Sequence, residues 1–148
     1  MLMEIIEANI NHCKLLHKWR NEYHTRINSF TTKPIELNDH KDWFENRLNS
    51  DNSKIWILYK SKKPIGQIRI EKNINSEWEI DYSIEKKHRG MGLGKYLISW
   101  CIENHSDKNL IATVKAENTI SRKIFKNLDF IAYKKENNIY KYVRYSRK

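Results

Sequence analysis

The sequence predicts a mixed α/β fold, with about six to seven mostly antiparallel strands and about four helices. Three observations carry this prediction. Segments of period-two alternation recur, the most regular setting Trp78, Ile80, Tyr82 and Ile84 against Glu79, Asp81, Ser83 and Glu85. Stretches of helical spacing stand between them, such as Leu97, Ile98, Cys101 and Ile102. The strands pair as hairpins early and late, with one strand–helix–strand crossover in the middle. At 148 residues the chain suits one domain spanning 1–148.

Each element has a local reason. Met3 to Ala8 reads as a first strand. Asn11 is a candidate cap for a helix reaching about Tyr23, in which Leu15, Leu16 and Trp19 share a face. An irregular stretch follows through Asn28, Ser29 and Pro34. A second helix follows Asn38 and brings Trp43, Phe44 and Leu48 together. Asp51-Asn52-Ser53 is turn chemistry. Ile55 to Tyr59 and Ile65 to Glu71 form a hairpin about Lys62-Lys63-Pro64. Asn73-Ile74-Asn75-Ser76 turns the chain into the alternating strand, which runs to Lys86-Lys87-His88. A glycine-rich run and a helix come next, then a strand from Leu110 to Lys115. Asn118 opens another helix, with Ile120, Ile124 and Leu128 facing inward. Phe130 to Lys134 and Ile139 to Tyr145 close the chain as a hairpin about Asn137-Asn138.

Composition excludes several classes. Five Trp and eight Tyr argue against disorder. No apolar run approaches the roughly 18 residues of a membrane span. The start, Met1-Leu2-Met3-Glu4-Ile5-Ile6-Glu7, lacks the basic region and long apolar core of a signal peptide. Cys13 and Cys101 make neither a disulfide framework nor a metal site, so no metal is expected and a reducing cytoplasm is the expected location. The net charge of +10 points to a polyanion, either nucleic acid or a phosphorylated cofactor or substrate. Scattered solvated lysines are the plainer reading. The basic and aromatic residues of Tyr140 to Lys148 read as a half-buried terminal strand rather than a nucleic-acid contact.

Three of the four glycines lie in Arg89-Gly90-Met91-Gly92-Leu93-Gly94, between a strand and a helix. Residues without side chains let backbone amides converge on an anion, and a helix N-terminus adds favourable charge. The spacing is neither that of a P-loop, since Lys95 is followed by Tyr96, nor that of a dinucleotide fold, since the run is mid-chain.

This run resembles the [Gln/Arg]-x-x-Gly-x-[Gly/Ala] pyrophosphate signature of the GNAT acyl-CoA N-acetyltransferases. A second block, Asn118-Thr-Ile-Ser121-Arg-Lys-Ile-Phe125-Lys-Asn-Leu128-Asp-Phe130, is similar to that family's Asn-x-x-[Ala/Ser]-x-x-x-[Tyr/Phe]-x-x-x-Gly-Phe helix. The order of elements matches over the whole chain. The resemblance implies a sheet with helices on both faces and acetyl-CoA as cosubstrate. Backbone amides of Arg89, Gly90, Met91, Gly92, Leu93, Gly94 and Lys95 would hold the pyrophosphate. The strand carrying Tyr82, Ser83 and Ile84 would splay from Ala112–Val114, so that pantetheine lies in the gap. Asn118 would bond the pantetheine arm, with Ser121, Arg122 and Phe125 along the cofactor.

A carboxylate must accept the amine proton, and Glu79, then Asp81, are the candidates. Their phase sets them opposite Trp78 and Tyr82, and a β-bulge would reset it. Phe125 stands where many members carry a tyrosine that protonates the thiolate; Tyr133 or Tyr140 are candidate substitutes. Asp129 replaces a glycine, as a local turn variation. For the acceptor, Trp19-Arg20-Asn21, the segment Leu37 to Phe44, and Ile65 to Arg69 resemble the branch acting on UDP-linked amino sugars, which shades into enzymes acetylating ribosomal-protein N-termini. A chain of charge +10 repels polyamines and attracts a nucleotide sugar, whose phosphates or uracil Arg20, His40 and Arg69 would meet. A protein N-terminus stays open as acceptor, as do a homodimer and a non-catalytic module binding CoA or nucleic acid; a membrane partner is not expected.

Overall fold

The structure is a computed structural model describing residues 2–147; Met1 and Lys148, the ends of the two terminal segments read above, lie outside the described residues. Its centre is a seven-stranded sheet in the order β1-β2-β3-β4-β5-β7-β6. The strands are β1 (Met3–Glu7), β2 (Ser53–Lys60), β3 (Lys63–Lys72), β4 (Trp78–Ile84), β5 (Leu110–Lys115), β6 (Ile131–Glu136) and β7 (Ile139–Arg144). Every neighbouring pair is antiparallel except β4 and β5. Five α-helices accompany them: α1 (Cys13–Asn21), α2 (Tyr23–Ile27), α3 (Leu37–Leu48), α4 (Leu93–Asn104) and α5 (Thr119–Asn127). No helix among the described residues is long and apolar enough to cross a membrane.

Helices cover both faces, so the central strands are apolar on both sides. On β2, Ile55 and Ile57 join Leu16 and Trp19 of α1 and Phe44 of α3 in one core. The intervening Trp56 and Leu58 join the larger core beneath α4 and α5, with Ile68, Ile80, Leu97 and Phe125.

Several local expectations need correction. The cap at the first helical segment is Asn9, not Asn11: its side chain accepts from the Asn11 amide at 2.9 Å, and a single 3-10 turn, Ile10–His12, leads into α1. The stretch expected to be irregular holds α2, whose five residues include none that is buried and so no apolar period to read. The β2–β3 turn is Ser61-Lys62, with φ of 49° and 68°, the left-handed pair a tight hairpin needs. Lys63 and Pro64 already belong to β3, and the register slips beside Pro64, which has no N–H for the ladder. Strand β4 stops at Ile84, and Lys86–His88 form a second 3-10 turn. On α5, Ile124 and Leu128 pack against the larger core as expected, beside the buried Ser121 and Phe125, but Ile120 is 74% exposed. Asp129 has φ 66°, so the glycine-like turn after α5 is kept by a residue that tolerates the left-handed region.

Candidate active site

The polar face of β4 and its neighbours defines the site. Across β3 and β4, Gln67 pairs with Ser83 and Arg69 with Asp81. On β2 the same face is Ile55 and Ile57, opposite Arg69 and Gln67. The face therefore turns from apolar beneath α1 and α3 to polar where it emerges from them. It emerges into a cleft of about 1310 Å³ bounded by α1, α2, the glycine turn, β4, β5 and α5.

The cleft exists because β4 and β5 separate. Their parallel ladder is confined to Trp78–Leu110 and Glu79–Ile111. Past these pairs β4 runs on to Ile84 without a partner on that side, while β5 stays paired with β7 along its opposite edge. The backbone of the second half of β4 thus faces the cleft as an open strand edge, which needs an extended partner. Both faces of that half-strand are exposed to it, so Asp81, Tyr82, Ser83 and Ile84 all line the cleft.

At its other end lies the glycine turn. Gly90 and Gly92 have φ of 79° and 77°, and a Cβ at either would meet nothing within 4 Å. Gly92 is the N-cap of α4. The first amide to bond back into the helix is that of Tyr96, onto the Gly92 carbonyl at 3.1 Å. The amides of Leu93, Gly94 and Lys95 precede it and have no helical carbonyl to reach. Gly94 matters for a different reason: a Cβ there would lie 2.9 Å from Cε2 of Tyr82. A turn without side chains, unpaired amides at a helix N-terminus, and Lys86, Lys95 and Lys123 around the cleft fit a diphosphate group. An open strand edge leading from that turn fits the amide-bearing pantetheine arm of CoA.

Not every expected residue meets the cleft. Met91 is 58% exposed outside it. Arg122 is turned away: it donates to the Ala116 carbonyl at 2.9 Å and lies 3.8 Å over the Tyr140 ring. The Arg89 guanidinium is committed to Glu22 at 2.8 Å and to the Ile84 carbonyl at 2.9 Å, so it braces the turn against α2. Burial pushes the Glu22 carboxyl up, but the Arg89 hydrogen bond, the Thr25 and His24 amides and the Arg89 charge outweigh it and bring it down to about 2. Asn118 and Ser121 line the cleft, and the Asn118 side chain also caps α5 by accepting from the Ser121 amide at 3.3 Å. Phe125 lines it and packs against Tyr82, Phe130 and Tyr142.

The two candidate carboxylates differ in where they stand. Asp81 lines the cleft, and Glu79 does not. Both point from the same face, but Glu79 sits two residues nearer the paired end of β4, roughly 7 Å along the strand. No bulge interrupts the β3–β4 register, and none is needed, because both faces of the second half of β4 open into the cleft. Gln67, which sequence reasoning did not select, holds Asp81: its Nε2 donates to Oδ2 at 3.1 Å and to Ser83 Oγ at 3.2 Å. Its only signal was sharing a strand phase with Arg69. Tyr133 and Tyr140 do not line the cleft, Tyr133 lying on the edge strand β6. The hydroxyl beside Phe125 belongs to Tyr82, which meets Ser121 Oγ at 2.5 Å. Burial pushes the Tyr82 phenol up, the Ser121 bond opposes this, and Asp81 adds to it, so the phenol is neutral.

On the acceptor side, Arg20, His40 and Arg69 all line the cleft. Arg20 bonds Ser29 Oγ at 3.1 Å and the Thr31 carbonyl at 3.3 Å. Burial lowers its pKa, with Asp81 opposing and Arg69 adding, so the three groups share one field. Arg69 lies over Trp43 at 4.8 Å and bonds Glu71 at 3.0 Å, while Glu71 also holds Arg47 at 2.9 Å. His40 is 4% exposed and stacked on Phe44, with Nε2 unbonded. Burial lowers its pKa, His17 and Arg20 add to this, and a hydrogen bond with the Cys13 backbone opposes it. No group of three or more His, Cys, Asp or Glu among the described residues could hold a metal.

Residues 4–131 match the acetyltransferase (GNAT) domain family. The chain belongs to this family. It is an acetyl-CoA-dependent N-acetyltransferase with acetyl-CoA as cosubstrate. Solved GNAT relatives share the fold at low identity. YncA, a putative acetyltransferase from Salmonella typhimurium with acetyl-CoA, superposes with a TM-score of 0.83 at 15% identity, covering 100% of this chain and 96% of that one. The spermidine N-acetyltransferase of Vibrio cholerae, in complex with CoA and spermine, gives 0.81 at 14%, covering 95% and 92%. RimL, a ribosomal alpha-N-protein acetyltransferase in complex with CoA, gives 0.80 at 11%, covering 97% and 94%. Among curated protein sequences none matches.

Proposed function

We propose that this acetyltransferase modifies a primary amine carried on an anionic small molecule, with a nucleotide-linked amino sugar as the substrate class. One observation carries the reading: Arg20 and Arg69 converge beside Asp81 on the acceptor side of the cleft. Asp39 also lines the cleft, and the nearby Glu71 serves two guanidiniums, those of Arg69 and Arg47. An acceptor with a diphosphate would place its charge at Arg20 and Arg69 and its amine beside Asp81. A polycation such as spermidine would meet Arg20 and Arg69 as a repulsion.

Bound in the cleft, acetyl-CoA supplies an acetyl group activated as a thioester. The residues of the chain do the rest. Asp81, fixed by Gln67, takes the proton of the amine as it attacks. The amides at the start of α4 hold the pyrophosphate, and the open edge of β4 aligns the pantetheine arm. Trp43, backed by Arg69, offers a flat apolar wall for the sugar or base.

The test is a panel of amines incubated with acetyl-CoA, read by thiol release onto a chromogenic disulfide. A UDP-linked 4-amino sugar should react fastest, a peptide N-terminus more slowly, and spermidine slowest. The advantage of the sugar should shrink as salt rises. Spermidine as the fastest acceptor would refute the anionic class. A peptide N-terminus as the fastest would transfer the assignment to protein acetylation.

A further inference from the structure

We propose that Ala112, Ile80 and Phe125 close the cleft where β4 and β5 meet, and that they thereby set the length of the acyl group the enzyme transfers. The two strands run apart from their last paired residues, Glu79 and Ile111, so the next residue on each, Ile80 and Ala112, stands at the apex of the gap. Both line the cleft, as does Phe125 of α5, yet Ile80, Ala112 and Phe125 are only 6%, 1% and 2% exposed. All three belong to the core beneath α4 and α5. Ala112 pairs with Tyr142 on β7, whose ring stacks on Phe125 at 5.9 Å between centroids. The apex is therefore a closed end with packed core behind it, not a channel. Ala112 is the small residue there; the neighbouring positions on the same face, Ile80 on β4 and Val114 on β5, are branched.

The open edge of β4 has the length of the cofactor arm. Ile84 ends the strand, and the Arg89 guanidinium, bonded to its carbonyl at 2.9 Å, holds the glycine turn against that end. From Ile84 back to Ile80 is four residues, roughly 13 Å of extended chain. The pantetheine arm holds about twelve covalent bonds between its phosphate oxygen and its sulfur, equivalent to about four residues of extended backbone. A thioester brought to Ile80 and Asp81 has the Glu79–Ile111 ladder directly ahead, where the strands lie roughly 4.8 Å apart and admit no further chain. The face carrying Asp81 and Thr113 must stay open for the amine. The hydrocarbon end is left with the opposite face, where Ala112 leaves room for a methyl group and Ile80 and Phe125 stop anything longer. This inference rests on the cleft holding CoA along β4, and the experiment separates the two ideas.

Wild-type protein, Ala112→Val and Ile80→Val are each titrated in a calorimeter with CoA, acetyl-CoA, propionyl-CoA and hexanoyl-CoA, so that binding is read with no acceptor present. One methylene in an apolar pocket is worth about tenfold to two-hundredfold. The wild type should bind both CoA and acetyl-CoA, propionyl-CoA at least about tenfold more weakly than acetyl-CoA, and hexanoyl-CoA more weakly still. Ala112→Val adds carbons where the acetyl methyl would rest; it should bind CoA as the wild type does and lose about tenfold or more for acetyl-CoA. Ile80→Val removes one buried methylene, a change that cores tolerate, and should bring propionyl-CoA up to about the affinity of acetyl-CoA. If Ala112→Val fails to fold, Ile80→Val carries the test alone. Equal affinity of the wild type for all three acyl-CoAs, or the same acetyl-to-propionyl ratio in the wild type and Ile80→Val, overturns the pocket. Wild-type protein that binds no CoA overturns the placement of the cofactor, and the pocket with it.

Discussion

Gly94→Ala isolates what the glycine turn does for packing. The added methyl would sit 2.9 Å from Cε2 of Tyr82 and 3.3 Å from Cδ1 of Ile124. The Tyr82 ring would have to move by about half an ångström to restore ordinary contact. It has little freedom to do so, being hydrogen-bonded to Ser121 and set edge-on to Phe125. Two effects oppose each other. Alanine is favoured over glycine inside a helix by at most about 1 kcal/mol, and Gly94 lies in the first turn of α4. Overpacking costs about 1–3 kcal/mol. The net loss is about 1 kcal/mol, or roughly 2–4 °C in Tm for a chain of this size. The comparison is Gly92→Ala, whose Cβ meets nothing within 4 Å but must adopt φ 77°. Its loss, about 1–2 kcal/mol, is backbone strain alone. Denaturation of the two single variants, each with and without Tyr82→Leu, distinguishes the causes. Trimming the ring should rescue Gly94→Ala, with a coupling energy of about 1 kcal/mol, and leave Gly92→Ala unchanged. A Gly94→Ala protein more stable than wild type, or equal coupling for both glycines, would refute the reasoning.

Two further outcomes are expected. Asp81→Asn keeps the shape of the Gln67 contact but cannot take a proton, so kcat/KM should fall by about a hundred- to ten-thousand-fold with CoA affinity unchanged, while Glu79→Gln stays close to wild type in the thiol-release assay; the opposite ranking would restore Glu79 as the base. The Glu22 carboxyl lies at about 2 in the fold against an ordinary 4.5, so its pairing with Arg89 stabilises the protein fully above pH 4.5 and loses that contribution as pH falls toward 2. Thermal melts of wild type and Glu22→Gln should differ by about 1–2 kcal/mol near neutrality, after allowance for solvent screening of a partly exposed pair, and converge in that acid window; a gap that persists at pH 2 contradicts the ion-pair account.

Sequence reading recovered the parts of this protein that local physics dictates. The alternation of β4 and the apolar spacing of α4 each follow from a buried face, and both elements form, β4 ending at Ile84, short of the expected Lys86. The glycine turn was legible because residues without Cβ are rare in this chain and three of them cluster. What stayed hidden depends on long-range placement. Helix α2 buries nothing, so it carries no period, yet it roofs the cleft through Glu22 on Arg89 and through its Ile27 carbonyl on Lys115 at 2.9 Å. Arg122 follows Ser121 in the same motif, but one residue is about 100° on a helix, enough to take it from the cleft to Tyr140. The separation of 39 residues between Tyr82 and Ser121 leaves no trace in either segment.

Asp81 lines the cleft and Glu79 does not, for a reason that lies in the strand itself. Period-two phase could not choose between the faces of β4, because that choice presumes a strand with one face toward the site. Beyond Glu79 the strand has no partner on the β5 side, and both faces look into the cleft. Adjacent residues on an extended strand lie on opposite faces. Asp81, fixed by Gln67 among the acceptor arginines, and Tyr82, bonded to Ser121 beneath α5, are such neighbours. The unpaired half of β4 therefore presents side chains to the cleft from both of its faces, Asp81 toward the acceptor arginines and Tyr82 toward α5.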